Sequence, residues 1–167
     1  MLIRTEAPAD ILSVEKLLQT TFDTDAEANL VMSLRENGNR TLSLVACNDE
    51  GDVVGYVLFS PVTVNGEEKN WQGLAPLAVA NAYRNQGIAA QLVEEGLASL
   101  HEFGYPACVV LGDPNYYGRF GFESAEKHQL HCRWDVPAGA FQVIELAAGE
   151  VQGAQGLVDY SPEFTAL

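Results

Sequence analysis

Between an apolar run and a helical pattern, the chain reads Arg84-Asn85-Gln86-Gly87-Ile88-Ala89. The apolar run is Leu74-Ala75-Pro76-Leu77-Ala78-Val79, and the helical pattern continues through Leu97. The spacing predicts a strand, a tight turn and a helix. Such a turn can aim several backbone N–H groups at one position, where the helix dipole also favours negative charge. Gly87 and Ala89 leave room for a close ligand, and the simplest ligand for this geometry is a pyrophosphate.

The turn differs from the two common nucleotide-binding loops. It lacks the Gly-Lys-Ser/Thr ending of a P-loop, and it lacks the three glycines of the dinucleotide fingerprint. On these residues alone, a tight strand-to-helix connection with small residues for packing is an equally good interpretation. A second segment is therefore needed to choose between a ligand site and a packing feature.

That second segment reads Val109-Val110-Leu111-Gly112-Asp113-Pro114-Asn115-Tyr116-Tyr117-Gly118-Arg119-Phe120-Gly121-Phe122. It predicts a buried strand, a short helix and, after Gly121, a new strand near Phe122. Together the two segments resemble the GNAT superfamily of acyl-coenzyme A N-acyltransferases. Arg84 to Ala89 match its Arg/Gln-x-x-Gly-x-Gly/Ala loop, and Tyr117 to Phe122 match its Tyr-x-x-x-Gly-Phe signature. The resemblance is good over residues 53–122, and the Leu-Gly-Asp-Pro-x-Tyr-Tyr-x-Arg-Phe-Gly-Phe string resembles a small bacterial branch.

The resemblance implies a set of residues that contact acetyl-coenzyme A or coenzyme A. The pyrophosphate is expected to bind Arg84, Asn85, Gln86, Gly87, Ile88, Ala89 and Ala90. The pantetheine arm is expected to pair with the backbone of Leu77, Ala78 and Val79, and Asn115 is expected to make a further contact. The family also implies that Tyr117 protonates the departing thiolate. A role limited to packing on the pantetheine arm is the alternative for Tyr117, and Tyr116 is assigned to packing.

The general base is not evident. Several family members place a glutamate on the strand before the loop, whereas this chain has Gly73-Leu74-Ala75 there. The amine proton must then leave through water, through a group on another element, or before binding. Asp23, Asp25 and Glu27 are candidates, although N-capping of a helix is a strong alternative for them. Pro76 is expected to interrupt strand pairing and to open a wedge for the arm.

A metal site at His128-x-x-His131-Cys132 is not expected. The stretch from His128 to Trp134 is predicted to be a strand, in which residues three apart lie on opposite faces. The two histidines would then be poorly placed to share one ion. The prediction is therefore a protein whose only cofactor is the acyl-coenzyme A co-substrate, with no metal.

The composition restricts the class of partner. The chain has 23 acidic and 9 basic residues among 167, a net charge of −14. This charge disfavours nucleic acid as a partner and suits a cationic acceptor, such as a small amine or a protein lysine or N-terminus. No apolar run reaches the length of a membrane span, and the N-terminus lacks an apolar leader. We expect a cytoplasmic protein without a membrane partner, either a monomer or a homodimer.

The element pattern predicts one domain over residues 1–167. Its order, βααβββ-α-β-α-ββ, indicates an α/β fold with a mixed, mostly antiparallel central sheet flanked by helices. The predicted elements are strands at 2–5, 42–47, 53–64, 70–79, 107–111, near 122, 128–134 and 141–146, and helices after Asp10, after Asp25, at 86–102 and after Asp113. The core motifs occupy about 53–122 and the C-terminal strands about 128–147, and the tail 148–167 is not assigned.

The resulting hypothesis is an N-acyltransferase that moves an acetyl group from acetyl-coenzyme A directly to a primary amine. The main alternative is a catalytically idle acyl-coenzyme A-binding or regulatory module on the same fold. The absent strand glutamate favours this alternative, and the intact Tyr117 opposes it. A third possibility, O-acyl transfer to a hydroxyl, needs a stronger base than the sequence offers.

Overall fold

A computed structural model describes residues 1–166, and its strands and helices follow the predicted order from the first strand through the short helix after Asp113. The strands are β1 (Leu2–Thr5), β2 (Leu42–Cys47), β3 (Val53–Val64), β4 (Glu67–Val79), β5 (Ala107–Leu111), β6 (Glu123–Ser124), β7 (Leu130–His131), β8 (Phe141–Glu145) and β9 (Gly156–Tyr160). The α-helices are α1 (Ile11–Thr21), α2 (Ala26–Glu36), α3 (Ile88–Glu102) and α4 (Pro114–Tyr117). A C-terminal 3-10 helix covers Pro162–Ala166.

The chain forms two compact units that alternate along the sequence. The first unit comprises residues 1–59, 75–96 and the segment from Pro162 onward, and the second comprises 60–74 and 97–161. Strands β3 and β4 contribute residues to both units. The predicted single domain over 1–167 stays a prediction, and Leu167 lies outside the described residues.

In the first unit the strand order is β1-β2-β3-β4. The β1–β2 ladder is antiparallel from Leu2↔Cys47 to Thr5↔Leu44, and the β2–β3 ladder is antiparallel from Leu42↔Phe59 to Cys47↔Val53. The helices bury the apolar positions that recur every three or four residues, which are Val14, Leu17 and Leu18 in α1 and Ala28, Leu30, Val31 and Leu34 in α2. The core of this unit lies between these helices and the strands.

Two glycines allow α3 to approach β3 closely. A Cβ on Gly96 would collide with the ring of Phe59, and a Cβ on Gly55 would lie 3.0 Å from Leu92 and 3.1 Å from Ile88. Glycine in the middle of a helix costs about 1 kcal/mol relative to alanine. Here that cost allows the aromatic ring to lie directly on the helix, which fixes the position of the helix start.

A buried charge network fixes α2 against the sheet. The carboxylate of Glu6 is almost fully buried and accepts hydrogen bonds from Arg35 at 2.7 Å, from Arg40 at 2.6 Å and from the Ser43 hydroxyl at 3.0 Å. Because both carboxylate oxygens are paired, the buried charge is compensated. Removing one partner would leave an unpaired charge in the interior.

The start of α1 is held by a second carboxylate. Asp10 accepts two hydrogen bonds from the Arg4 guanidinium, at 2.7 and 2.9 Å, and one from the Ala7 N–H at 2.7 Å. These bonds, first those from Arg4 and then that from Ala7, lower the pKa of Asp10 to about 2. Asp10 is therefore ionised throughout the neutral range.

In the second unit the strand order is β3-β4-β5-β8-β6, with β9 beside β3 and β7 beside β9. The β4–β5 and β7–β9 pairs are parallel, whereas β5–β8, β6–β8 and β3–β9 are antiparallel. The predicted class, a mixed and mostly antiparallel sheet with flanking helices, is confirmed. In the described part of the chain, none of the helices has the length and apolarity needed to cross a membrane.

The turn residues behave as their sequence indicates. Asn65 and Gly66 form the hairpin between β3 and β4 with φ values of 52° and 80°, as a two-residue hairpin turn requires. Pro61, which has no N–H to donate, follows the last β2 pair at Phe59 and precedes the first β9 pair at Val62. Pro76, which follows a cis peptide bond, lies three residues after the last β4–β5 pair, Gly73↔Val109.

Two predicted elements need correction, and the unassigned tail contains further elements. Helix α3 begins at Ile88 and not at Gln86, because Asn85 and Gly87 adopt left-handed φ values. The predicted strand 128–134 shrinks to Leu130–His131, because residues 125–128 form a 3-10 helix that ends at Gln129 with φ 59°. The unassigned tail contains strand β9 and the C-terminal 3-10 helix, whose partners lie far away in the sequence.

Candidate active site

In the first unit, the turn between β4 and α3 has the shape of an anion site. After a 3-10 helix at Asn81–Tyr83, Asn85 and Gly87 take positive φ values of 62° and 80°. Backbones that enter the left-handed region in this way can form concave nests of N–H groups. A Cβ on Gly87 would meet nothing within 4 Å, so the space beside this residue is open.

The turn leaves six consecutive amides without acceptors. Within residues 1–166, the N–H groups of residues 85–87 donate no hydrogen bond, and the first bond of α3 runs from Gln91 to the Gly87 carbonyl at 3.0 Å. The amides of residues 88–90, in the first turn of the helix, therefore also lack partners. A run of free N–H groups at the positive end of a helix dipole binds an anion without any charged side chain.

The remainder of the turn is tied to the strands around it. The Ala80 N–H donates to Val54 at 2.8 Å, and the Tyr83 hydroxyl accepts from the Asn48 amide at 3.0 Å. Arg84 is exposed, and its Nε lies 3.5 Å from the Val79 carbonyl. The predicted pyrophosphate residues and the end of β4 thus form one structural feature.

The other predicted coenzyme A residues of this unit divide into buried and accessible groups. Ala78 and Ile88 are both only 3% exposed, and Ile88 would be the neighbour of any side chain at Gly55. Leu77 and Val79 are half-buried, as are Ala89 and Ala90. Ala78 and Ile88 could therefore contact a ligand mainly through their backbone.

In the second unit, a capped turn at the end of β5 places Tyr117. The Asp113 carboxylate accepts from the Asn115 N–H at 2.9 Å, and the Asp113 carbonyl accepts from Tyr116 and Tyr117 at 3.0 Å each. Asp113 is therefore the N-cap of the short helix that was predicted to follow it. The Asn115 side chain is exposed at the first turn, and its predicted contact with coenzyme A stays a prediction.

The ring of Tyr117 lies on the backbone of Gly112. A Cβ at Gly112 would be 3.0 Å from Cδ2 of Tyr117 and nearer still to Cε2. The ring also makes edge-on contacts with Tyr116 at 5.0 Å and Phe122 at 5.8 Å between centroids. Because only a glycine permits this approach, Gly112 and Phe122 together set the orientation of the phenol.

The environment keeps the Tyr117 phenol protonated. Burial, followed by the nearby Tyr116 and Cys108, raises the pKa of Tyr117 to about 12. Its hydroxyl has no hydrogen-bond partner among residues 1–166, so it is available to an incoming acceptor. Tyr116 differs, because the Arg119 guanidinium lies 4.9 Å from the centre of its ring.

The side chain of Tyr160, which the sequence analysis did not single out, covers Gly73. The ring of Tyr160, on β9, packs so closely on Gly73 that a Cβ there would lie 2.9 Å from Cζ. The Tyr160 hydroxyl lies 3.5 Å from the Val109 carbonyl, and burial raises the pKa of Tyr160 well above its usual value. A phenol in this state is not a base. The alternating apolar residues of 156–160 were the only sequence signal for this strand.

The acidic start of α2 is capped by a hydroxyl and not by a carboxylate. Thr24 accepts from the Ala26 N–H at 3.2 Å, whereas Asp25 stands at the cap position without a side-chain bond to the helix. Asp23 and Asp25 are exposed, and the buried Oε1 of Glu27 has no hydrogen-bond partner. Asp25 thus occupies the N-cap and Glu27 the first turn, as the alternative role required, but neither carboxylate makes a side-chain capping bond.

The histidine pair lies on two different elements. His128 ends a 3-10 helix and His131 lies on β7, so the strand geometry assumed for them is wrong. Within the described residues, no group of three or more His, Cys, Asp or Glu side chains is placed to hold a metal ion. His128 instead lies 3.9 Å from Glu123.

Comparison with known proteins identifies the family. The signature of the Acetyltransferase (GNAT) family matches residues 11–122, more than half of the chain. The chain belongs to this family. The match includes both the loop at Arg84 to Ala90 and the Tyr117 segment, and the predicted family is thereby confirmed.

Similar proteins support this assignment over nearly the full length. A protein of Escherichia coli (strain K12) named uncharacterized N-acetyltransferase YhbS is 57% identical over 164 residues, which is 98% of each chain. A crystal structure of the E. coli GNAT family N-acetyltransferase YhbS in complex with CoA has a TM-score of 0.95 at 56% identity, covering 98% of this chain and 91% of that one. A Brucella melitensis GNAT acetyltransferase in complex with acetyl-CoA has a TM-score of 0.82 at 36% identity, covering 98% and 97%. The prediction of a GNAT N-acetyltransferase is confirmed.

Proposed function

We propose that this GNAT protein transfers the acetyl group of acetyl-coenzyme A to a primary amine by direct nucleophilic attack. The observation that carries the proposal is the run of six unpaired amides at residues 85–90. Such a run suits the pyrophosphate of coenzyme A. The CoA and acetyl-CoA complexes of the E. coli and B. melitensis relatives support the choice of this cofactor.

The cofactor is held mainly by backbone. Residues 84–90 bind the pyrophosphate, with Arg84 adding a local positive charge in a protein of net charge −14. The backbone of Leu77, Ala78 and Val79 pairs with the amides of the pantetheine arm, as a strand would add to a sheet edge. Asn115 stays a predicted polar contact to coenzyme A.

Tyr117 acts on the sulfur as the carbon–sulfur bond breaks. A phenol of pKa about 12 is a much weaker acid than a thiol of about 8.5, so complete proton transfer to the thiolate is unfavourable at equilibrium. The phenol instead donates a hydrogen bond that strengthens as negative charge develops on sulfur. The amine nitrogen loses one proton as the amide forms, and the sulfur gains one as the thiol is released, so the overall transfer is balanced.

The amine must attack in its neutral form. The strand stretch in which several family members carry a glutamate is Gly73-Leu74-Ala75 here, without a carboxylate, and its Gly73 is covered by a tyrosine of raised pKa. We therefore propose that the attacking amine loses its proton to water. The rate should then rise with pH until the amine itself is deprotonated.

The direct test combines acetyl-coenzyme A with a panel of primary amines and follows free thiol release and the mass of the product. We expect thiol release that depends on the amine and equals the amount of amide formed. A reaction without amine measures hydrolysis and serves as the control. Tight coenzyme A binding without amide formation for any amine would instead support the idle binding module. The cytoplasmic location and the oligomeric state stay predictions.

A further inference from the structure

A hydrogen bond joins the turn after β2 to the segment that leads into the loop at residues 84–90. The side-chain amide of Asn48 donates to the Tyr83 hydroxyl at 3.0 Å, across 35 positions of the sequence. Both side chains are half-buried, and both residues belong to the first unit. Neither residue is part of the family motifs, so the bond connects the motif loop to a part of the fold outside it.

The side chain of Asn48 is fixed by its own turn. Its Oδ1 accepts hydrogen bonds from the N–H groups of Glu50 at 3.1 Å and Asp52 at 2.8 Å. The Asn48 N–H also donates to the Asp52 carbonyl at 3.0 Å. Because two backbone donors require an oxygen at Oδ1, the amide nitrogen is the atom that faces Tyr83. The turn therefore holds Asn48 in place as a donor with a fixed direction.

The other end of the bond lies directly before the anion loop. Tyr83 ends the 3-10 helix Asn81–Tyr83, and its N–H donates to the Ala80 carbonyl at 2.9 Å. Asn85, two residues later, has a φ of 62° and begins the run of unpaired amides. The Ala80 N–H is itself held by the Val54 carbonyl at 2.8 Å. Two bonds from neighbouring backbone and side chains thus fix the entry to the loop.

The unpaired amides cannot hold one another in place. An amide in a helix or strand keeps its direction through its own hydrogen bond, whereas residues 85–87 donate none to the described part of the chain. Their directions must therefore be set from the two ends of the loop. On the helix side, Ile88 is buried and anchors the start of α3. On the strand side, the side chain of Tyr83 is anchored by Asn48.

We propose that Asn48 and Tyr83 are positioning residues for coenzyme A. Their hydrogen bond holds the strand side of the loop in the shape that presents the free amides to the pyrophosphate. A loop that already has its binding shape loses less conformational freedom when the ligand arrives, so the bond raises the affinity. The assignment rests on the proposed placement of the pyrophosphate at residues 84–90, and it adds two residues that act through the loop backbone.

The binding test measures the Kd of coenzyme A by calorimetry in two single variants. Tyr83→Phe keeps the ring and removes the hydroxyl. Asn48→Ser keeps a side-chain oxygen that can cap the turn, but it is too short to reach Tyr83. Each variant should raise the Kd about fivefold, as expected for the loss of one hydrogen bond between neutral groups. The double variant should also raise the Kd about fivefold and not about 25-fold, because both substitutions remove the same bond.

The matched control is Tyr105→Phe. Tyr105 is also half-buried, but it follows the C-terminal end of α3, whereas the loop precedes the N-terminal end. Its hydroxyl has no hydrogen-bond partner among residues 1–166. Tyr105→Phe should therefore leave the Kd of coenzyme A unchanged while removing the same atom as Tyr83→Phe.

The contrary outcomes of the binding test are distinct. A Kd that is unchanged in both single variants overturns the proposal, and a lower Tm with this unchanged Kd would mean that the bond only stabilises the fold. Effects that multiply in the double variant also overturn it, because the two side chains would then act independently. Thermal melting checks folding. If Tyr83→Phe does not fold, Asn48→Ser decides alone: a raised Kd supports positioning, and an unchanged Kd overturns it.

The kinetic test separates positioning of the loop from the acetyl transfer itself. Either variant should raise the KM of acetyl-coenzyme A about fivefold and leave kcat unchanged. With S-acetylpantetheine, a donor that lacks the pyrophosphate, kcat/KM should be the same in the wild type and the variants; equal losses with both donors overturn the proposal. If coenzyme A binding depends on the bond but no amine is acetylated, the proposed function fails and the positioning role stands. If amines are acetylated with a KM of acetyl-coenzyme A indifferent to both residues, the positioning role falls and the proposed function stands. A wild-type chain that binds no coenzyme A overturns both.

Discussion

Gly112→Ala should impair catalysis by moving one aromatic ring. The backbone of Gly112 is not left-handed, so alanine is compatible with it. The new Cβ would nevertheless be 3.0 Å from Cδ2 of Tyr117 and closer to Cε2. Carbon atoms normally approach to about 3.5 Å, so the ring must move by roughly 0.5 to 1 Å.

The size of the effect follows from this displacement. A misplacement of about 1 Å in a catalytic group can reduce the rate by about a hundredfold. We therefore expect kcat to fall by roughly 10- to 100-fold. Overpacking costs about 1–3 kcal/mol, which for a chain of this size lowers Tm by roughly 2 to 12 °C. Coenzyme A affinity should change little, because residues 84–90 are not involved.

The assay is amine-dependent thiol release, with Gly118→Ala as the matched control. Gly118 directly follows α4, and its φ of −57° is compatible with alanine. A Cβ at Gly118 would meet nothing within 4 Å, so Gly118→Ala adds the same methyl group without displacing a ring. The decisive measurement is Gly112→Ala in the Tyr117→Phe background, where the displaced ring has no hydroxyl left to misplace. A loss of kcat that is equally large in both backgrounds would refute positioning and indicate general damage.

Three further predictions test the loop, the phenol and the acid stability. Tyr117→Phe should lower kcat roughly a hundredfold with little change in coenzyme A Kd, and Tyr116→Phe should have a milder effect. Gly87→Ala, at φ 80°, should cost about 1–2 kcal/mol and also weaken coenzyme A binding, whereas Gly104→Ala, at φ 87°, should lower Tm alone. Asp10 stabilises the fold above its unfolded pKa near 3.8, so the free energy of unfolding should fall by about 2 kcal/mol as the pH drops from 4 to 2, and Asp10→Asn should remove this dependence in urea titrations.

Each of these predictions has a clear contrary outcome. Equal losses of kcat in the two tyrosine variants would mean that the hydroxyl of Tyr117 has no special role. A coenzyme A Kd that is the same in Gly87→Ala and Gly104→Ala would remove the loop from the binding site. The same acid dependence of unfolding in Asp10→Asn and in the wild type would show that other carboxylates control it.

The parts of the protein that follow local rules could be predicted from the sequence. The turn before α3 is encoded by its own residues, since Gly87 permits a positive φ and the next residues form a helix. The hairpin at Asn65-Gly66 and the cap at Asp113 depend on side chains within two residues. In each case the structure-forming contact and its sequence signal are adjacent.

The parts that depend on distant partners could not be predicted. Strand β9 is short, and its ladder joins Val62 to Tyr160 across nearly a hundred positions. The side chain of Glu163 accepts hydrogen bonds from Asn37 and Asn39, more than a hundred residues earlier. Nothing in the local sequence at either end indicates these pairings, so the tyrosine over Gly73 and the partners of Glu163 became visible only in the fold.

The late position of β9 and the C-terminal 3-10 helix affects how the protein is made. Chains are synthesised from the N-terminus at about 5–20 residues per second, and domains tend to fold as they emerge. Here β9 completes the second unit beside β3, and the residues from Pro162 onward belong to the first unit beside α2. Neither unit can therefore be finished while residues 156–166 are still inside the ribosome. Premature termination near residue 155 would leave both units incomplete, and a nascent chain paused there would display the uncovered surface at Gly73 to chaperones and proteases.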